Sequence, residues 1–291
     1  MTRLIHWFDQ DKRDLPWREP DCGAWGVLVS EVMLQQTPVS RVIPAFDAWM
    51  KRWPTPSDLA SDSAAEAVRM WDRLGYPRRA RRLHQAATVI AEIHDGQVPR
   101  NLEDLLNLPG VGDYTARAVR SFAFGIPEPV VDTNVRRVIT RLVSGQAEAG
   151  PPRMVADRVA TQEVLSQLTS DRDRCTGAAA LMELGAVICT AKKPLCEQCP
   201  LADLCAWRNA GYPAYEGPRA SKQARYEGSD RQVRGIILRE LRKSDIPIPQ
   251  DFLHSLWPDS SQLTRALESL TDDSLVEELP DDPGNYQLAM Q

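Results

Sequence analysis

The chain has 291 residues, 43% of them hydrophobic, and a formal net charge of −5. That length allows two domains, or one with an appendix, with enough apolar residues for a full core. No apolar run is long enough to cross a bilayer, and Met1 to Trp7 lack the apolar stretch of a secretory signal, so a soluble, cytoplasmic protein is expected. The acidity is uneven. Residues 228–291 hold 6 Lys or Arg and 12 Asp or Glu, a net of −6, while the remainder holds 29 and 28, a net of +1. An acidic total therefore does not exclude nucleic acid, because a near-neutral domain can still present one positive face.

Residues 3–22 predict a short amphipathic helix stopped by Pro16, which leaves Trp17 and Arg18 on a loop. Taken alone, these two read as a plug at a domain seam and a solvated Arg. Residues 25–36 predict a nearly all-apolar helix with Glu31 set among Leu28, Val29, Val32 and Met33. A carboxylate there is costly unless paired or protonated. Either it faces outward at a seam, or desolvation raises its pKa and it holds a proton for donation. Pro38 breaks the helix and leaves Gln35, Gln36 and Thr37 as a polar tip. Residues 39–53 and 57–72 predict two amphipathic helices parted by Pro54 and Pro56, with Ser57, or Ser61 to Ser63, as caps and Trp49, Trp53 and Trp71 in the core. Arg78, Arg79, Arg81 and Arg82 then open a helix over 79–94. They read equally as a solvated face or as a basic edge beside DNA.

After a turn at Asp95-Gly96 and a helix over 101–107 comes Leu108-Pro109-Gly110-Val111-Gly112-Asp113-Tyr114-Thr115. Pro109 and Gly110 end one helix, Gly110 and Gly112 permit positive φ, and a second helix starts near Asp113 with Ala116, Val119 and Ala123 on one side. Helix, tight glycine turn, helix is the result. Its free backbone N–H groups suit a phosphate, with no base being read. Beyond the Pro/Gly-rich loop from Gly125 to Pro129, Asp132 and Asn134 put a carboxylate and an amide two residues apart at a helix start, where the amide can brace the acid.

Helices follow over 134–145 and 153–169. A small-residue helix over 175–188, with an unassigned Glu183, delivers Cys189. Cys189, Cys196, Cys199 and Cys205 lie within 17 residues, which in a chain expected to be cytosolic means metal before disulfide. Four thiolates suit zinc or a 4Fe–4S cluster. One Cys-x2-Cys knuckle with a single Cys on each side favours the cluster. The same loop offers Lys192 and Lys193 to phosphates, while Cys22 and Cys175 fall outside the pattern. A Pro/Gly/Ser-rich linker, 211–228, leads to helices over 230–243, 249–256 and 260–272 and strands over 275–279 and 285–288. That is winged-helix order, but the net −6 argues against groove binding and points to a module for packing or for a protein partner.

Several of these motifs occur together, in this order, in one known family. Leu108 to Thr115 resembles the helix–hairpin–helix of the base-excision DNA glycosylases, and Asp132 stands at the place of that superfamily's single catalytic Asp. Over residues 3–210 the chain is similar to the adenine DNA glycosylases that act on adenine opposite 8-oxoguanine, the MutY type. The resemblance implies a mainly α, two-lobed helix–hairpin–helix glycosylase domain over 1–210. Residues 24–130 would form a six-helix lobe holding the hairpin, and 1–23 with 131–210 an iron–sulfur lobe. The linker and a small winged-helix-like module over 229–291 would follow, too short for the Nudix-like domain the family commonly carries.

The same resemblance implies double-stranded DNA with a mispaired adenine as partner, action at the nucleoid, and a 4Fe–4S cluster on the four cysteines. It implies Glu31 as general acid and Asp132 as stabiliser of the sugar cation, positioned with Tyr114 and Asn134. Trp17 and Arg18 would line the adenine pocket, and Gln35, Gln36 and Thr37 would wedge into the duplex. Gly110, Val111, Gly112 and Lys193 would meet phosphates. The endonuclease III type needs a Lys for its Schiff base where this chain has Tyr114, so monofunctional hydrolysis is implied. Tyr at that place also occurs in T:G mismatch glycosylases without a large C-terminal domain, which leaves that alternative open. Two departures stand out: Pro77 replaces a second Tyr, and Ala179 stands where many members carry an acid or amide that touches the adenine.

Overall fold

The computed structural model describes residues 1–218 and 225–290; the middle of the expected linker, 219–224, lies outside the described residues. The chain is mainly helical, and its helices start where the capping residues are. α1 (Thr2–Asp11) buries Leu4 and Phe8. Pro16 opens a single 3-10 turn carrying Trp17 and Arg18. α2 (Gly23–Leu34) and α3 (Val39–Arg52) are parted by the Gln35–Pro38 segment. The stretch 57–72 is two helices instead of the single one expected. Thr55 and Asp58 form a capping box for α4 (Pro56–Ala60), and the Ser63 side chain accepts from Glu66 N to start α5 (Ala64–Trp71). α6 (Arg78–Ile93), α7 (Leu102–Asn107), α8 (Asp113–Phe124) and α9 (Thr133–Ile139) follow. Expected to run α-helically to 145, the last of these passes instead into a π turn, Thr140–Ser144, with Arg141 buried in it. π turns recur at functional sites. Next come α10 (Met154–Leu165), α11 (Asp171–Val187) and the short α12 (Ala206–Asn209).

The chain forms two compact units. The first holds Met1–Glu31, Arg100–Asn107 and the chain from Val111 into the linker; the second holds Val32–Pro99, Leu108–Gly110 and the chain beyond the linker. These bounds differ from the expected lobes, which were divided at 24 and 130. The reason is α8. It packs on α7 and α11, and its Ala118 lies in one core with Leu4, Phe8, Val135, Val138, Leu181 and Leu184. Small residues on α8 and α11 let these helices approach closely, so the hairpin's second helix joins the first unit.

The second unit is built on three tryptophans. Trp49 meets Trp53 and Trp71 edge-on, at centroid distances of 4.6 and 5.5 Å, in the geometry that aromatic quadrupoles prefer. The C-terminal residues belong to this unit. They run α13 (Asp230–Lys243), β1 (Ile248–Pro249), α14 (Gln250–Ser255), α15 (Ser260–Asp272), β2 (Val276–Glu278) and β3 (Asn285–Leu288). The three strands form one antiparallel sheet in the order β1-β3-β2, with Ile248 opposite Tyr286 and Val276 opposite Leu288. β1 is a strand the sequence did not predict, being two residues long and half proline. Among the described residues no helix is long and apolar enough to cross a membrane.

Candidate active site

Glu31 lies on the last turns of an apolar helix and is only 5% exposed. Burial pushes its carboxyl up to about 7, helped by the negative charge of Asp132. The hydrogen bond from Tyr114 and the charge of Arg18 pull the other way but do not win. Burial beside the same two carboxylates also pushes the Tyr114 hydroxyl well above its usual range, so it stays a donor. Glu31, Tyr114 and Asp132 thus come from three separated stretches into one electrostatic group inside the first unit.

Asp132 is the N-cap of α9. Its Oδ1 accepts from Val135 N at 2.7 Å and its Oδ2 from Asn134 Nδ2 at 2.9 Å. Burial raises its pKa, while these donors, the Asn134 N–H and the Arg137 charge oppose the rise. Asn134 is held in turn: its Oδ1 accepts from Arg137 Nη2 at 2.7 Å. Arg137 also donates to the carbonyls of Cys189 and Gly185, each at 2.7 Å. Gly185 is needed where it stands, since a Cβ there would lie 2.7 Å from Asn134 Cβ and 2.9 Å from its carbonyl oxygen. The approach of α11 to α9 therefore depends on a missing side chain. Asn134 was expected at the site; Arg137 was not, although its i, i+3 spacing from Asn134 on a helix was visible.

Glu183, left unassigned from sequence, is buried and fully engaged. Its carboxylate accepts from Arg13 Nε at 2.6 Å and Nη2 at 2.8 Å, and from Arg18 Nη2 at 2.8 Å. Burial works to raise its pKa, but the two guanidiniums overcome this and bring it down to about 2. The signal was present: a carboxylate in a helix of small apolar residues requires a cationic partner. Arg18, expected in a base pocket, is thus tied to Glu183, to the Arg13 carbonyl and to the Phe8 ring face, with its charge still felt by Glu31. Trp17 beside it is half-buried.

The remaining expected residues are placed as follows. Gln36 is exposed at φ +55°, and Gln35 is half-buried. Thr37 turns inward, its hydroxyl donating to the Leu74 carbonyl at 3.1 Å. Gly110 takes φ +78°, and a Cβ there would strike Arg82 Cβ at 2.8 Å. Gly112 does not use glycine's freedom: its φ is −97° and a Cβ would meet nothing within 4 Å. Val111 is buried, and Lys192 and Lys193 are exposed. Arg79 is no surface charge; it is buried and donates to main-chain carbonyls. Arg78 pairs with Asp273 at 2.8 Å.

The four clustered cysteines lie on one loop, each half-buried and none in a disulfide. Burial and the charges of its three neighbours push the Cys199 thiol up to about 11, against the Leu201 N–H, so the four sulfurs are within one another's field. Arg141 stitches the loop down. It donates to Cys189 Sγ at 3.3 Å and the Thr190 carbonyl at 2.8 Å, and stacks on Trp207 at 4.5 Å.

Residues 29–159 match the HhH-GPD superfamily of base excision DNA repair proteins, and residues 189–205 match the iron–sulfur binding domain of endonuclease III. An adenine DNA glycosylase of Mycolicibacterium smegmatis is 52% identical over 99% of this chain and 95% of its own length. The chain belongs to the adenine DNA glycosylase family. Another relative of that description, from Mycobacterium tuberculosis, is 52% identical over 94% of this chain and 89% of its own. Among solved structures, a thermostable thymine-DNA glycosylase superposes with a TM-score of 0.63 at 28% identity, covering 72% of this chain and 94% of that one.

The iron–sulfur match falls on Cys189 to Cys205, and the cofactor of this loop is a 4Fe–4S cluster. The donor set fits it. Four thiols on one loop, with Cys189 in the fields of Arg137 and Arg141, suit an anionic cluster bound through four thiolates.

Proposed function

We propose that this protein is a monofunctional DNA N-glycosylase that excises adenine mispaired with 8-oxoguanine or guanine, the opening step of base excision repair. The observation that carries the reading is Glu31, buried, hydrogen-bonded to Tyr114 and held near a pKa of about 7 beside Asp132. An adenine inside a duplex is out of reach and must be flipped out of the stack. As an anion it leaves poorly. A carboxyl poised near neutral pH can protonate a ring nitrogen, a contribution of order 10²–10⁴ in rate. The sugar left behind carries oxocarbenium character, and Asp132, fixed by Val135 N and Asn134, is the anion that stabilises it. Water then completes hydrolysis with Glu31 as base.

The other residues have supporting parts in this reading. Trp17 and Arg18 border the adenine, and Arg18 also favours reionisation of Glu31 once its proton is given. Gln35 and Gln36 enter the duplex, with Thr37 as their anchor. Gly110, Val111 and Gly112 offer main-chain N–H groups to a phosphate, and Lys193 offers charge to another. The cluster supplies structure: it ties the loop from Cys189 to Cys205 into one piece.

Tyr114 cannot form a Schiff base, which supports hydrolysis without strand cleavage. The structural likeness to a thymine-DNA glycosylase keeps T:G excision as the second reading. Duplexes with A:8-oxoguanine, A:G and T:G pairs assayed side by side decide between them. Release from the adenine pairs, lost in Glu31→Gln and Asp132→Asn, is expected. Turnover of T:G alone, or a strong borohydride-trapped adduct, would overturn the proposal.

A further inference from the structure

Among the non-glycine residues of the second unit with positive φ are Gln36 at +55°, Asp72 at +37° and Tyr76 at +48°. Side chains disfavour that backbone, which persists only where the surroundings over-determine it. Here arginines do so. The buried Arg79 gathers both segments. Its Nη1 donates to the carbonyls of Val32, Met33 and Gln35 at 2.8, 3.0 and 2.6 Å. Its Nη2 donates to Thr37 Oγ1 at 3.0 Å and to the carbonyls of Leu74 and Gly75 at 3.2 and 3.0 Å. Its guanidinium also packs against the Trp71 and Tyr76 rings. One side chain thus fixes Gln36 and Tyr76 relative to each other.

The C-terminal module reaches the same turn from its other end. Arg242, on the last turn of α13, donates to the Val68 carbonyl at 2.9 Å and to the carbonyl of the strained Asp72 at 2.8 Å. Arg69, on α5, answers by donating to the Arg242 carbonyl and to that of Ser244 at 3.1 Å. Each arginine satisfies carbonyls that the other helix leaves unpaired at its C-terminus, where a cation is also favoured by the helix dipole. A second strut joins Arg78, next to Arg79, to Asp273, which also holds Arg234. A third is the Ala64 N–H donating to the Met290 carbonyl at 3.2 Å.

We infer that the C-terminal module is an intramolecular brace: through Arg242 it holds the Asp72–Tyr76 turn that Arg79 locks to the Gln35–Thr37 tip, so that the tip, with the exposed Tyr76 beside it, is preset as one edge. Arg79 and Arg242 are positioning residues in this arrangement. The inference rests on the glycosylase reading for what the edge contacts, but not for how it is held. The module's own outward surface fits a supporting part. α15 exposes Glu268 and Asp272, and the β2–β3 connection exposes Asp281 and Asp282, carboxylates that repel phosphates. Pro77 agrees as well: its fixed φ at the start of α6 stiffens the turn directly after Tyr76.

The test uses the full-length holoenzyme with Arg242→Ala, and Arg239→Ala, an exposed arginine on the same helix paired with Glu240, as a surface control. Amide hydrogen exchange is followed along the chain. Binding and single-turnover excision are measured on a duplex with one A:8-oxoguanine pair. The expected result is exchange over residues 72–77 faster by about tenfold or more, with α8 and α9 unchanged. The duplex concentration at half-saturation is expected to rise about tenfold while the saturated rate stays within about twofold. Unchanged exchange over 72–77 overturns the inference, and so does a loss confined to the saturated rate. If Arg242→Ala does not fold, Arg242→Lys decides: it keeps the charge but cannot span two carbonyls, so the same pattern in smaller measure is expected, and its absence overturns the inference equally. A parent enzyme without adenine release would sink the glycosylase reading and leave the exchange result standing, so the two failures are separable.

Discussion

Arg137 donates one hydrogen bond to the Cys189 carbonyl and another to Asn134 Oδ1, both at 2.7 Å. The first cysteine of the iron–sulfur loop and the amide that braces Asp132 are therefore one guanidinium apart. Removing it leaves Asn134 free to rotate and Asp132 with one fewer fixed donor. Arg137→Ala is expected to lower the single-turnover rate by about 10–100-fold, the usual cost of losing a partner that orients a working group. Arg137→Lys should recover only part of it. Cluster absorbance recorded on the same samples tells a lost cluster from a misplaced Asp132.

Glu31 makes rate and stability both fall as pH rises. Its carboxyl stands at about 7 in the folded chain against an ordinary 4.5. Folding therefore favours the protonated form. The penalty is absent below about 4.5, grows as pH rises, and is complete above about 7, where it reaches about 3 kcal/mol. Glu31→Gln should cut excision by about 10²–10⁴-fold yet melt a few degrees above the parent at pH 8.5 and little above it at pH 4.5. Equal melting temperatures at pH 8.5 would show that no buried charge is being relieved. In the parent, excision that needs the protonated acid should fall as pH rises past about 7.

Glu183 behaves in the reverse sense. Its depressed value, about 2, means that its ion pairs stabilise the fold above the free carboxylate range and are lost only as pH falls from about 4.5 towards 2. Glu183→Ala strands Arg13 and Arg18 together. The expected loss is about 2–4 kcal/mol at neutral pH, less than for a fully buried pair because Arg13 is partly exposed to solvent. Urea unfolding measures it, and a loss under about 1 kcal/mol would mean that water replaces the carboxylate at no great cost.

The hairpin and packing glycines make a paired test. Gly185→Ala drives a Cβ into Asn134 and should cost about 1–3 kcal/mol in stability, with excision slowed as Asn134 shifts. Gly112→Ala has an allowed φ and open space around the added Cβ, so its melting temperature should not move. If a phosphate approaches that turn, its affinity for duplex should nevertheless fall several-fold. Unchanged affinity would remove the phosphate from Gly112.

Legibility followed the kind of signal. Pro16, Pro38 and the glycines of the hairpin marked their breaks because proline and glycine act locally. The four-cysteine spacing was legible because here all four fall on one short loop. Ser61 and Ser63 were noted as caps, yet a single helix was expected across them, since apolar periodicity outweighed the capping chemistry that won. The four arginines after Tyr76 looked interchangeable. In the structure Arg79 is buried under carbonyls from two segments, 32–35 and 74–75, while Arg78 pairs with the tail, a division that nothing in their spacing encodes.

By itself the sequence determined the helical class, the hairpin, the thiolate set and the oddity of an acid in an apolar helix, because each is written in neighbouring residues and their local preferences. Only the tertiary structure decided which polar groups meet: Tyr114 with Glu31, Arg18 with Glu183, Arg137 with the Cys189 carbonyl and Arg242 with the Asp72 carbonyl. Those pairings depend on desolvation and on the approach of segments far apart in the chain, and a buried charge takes whichever partner the packing brings within reach.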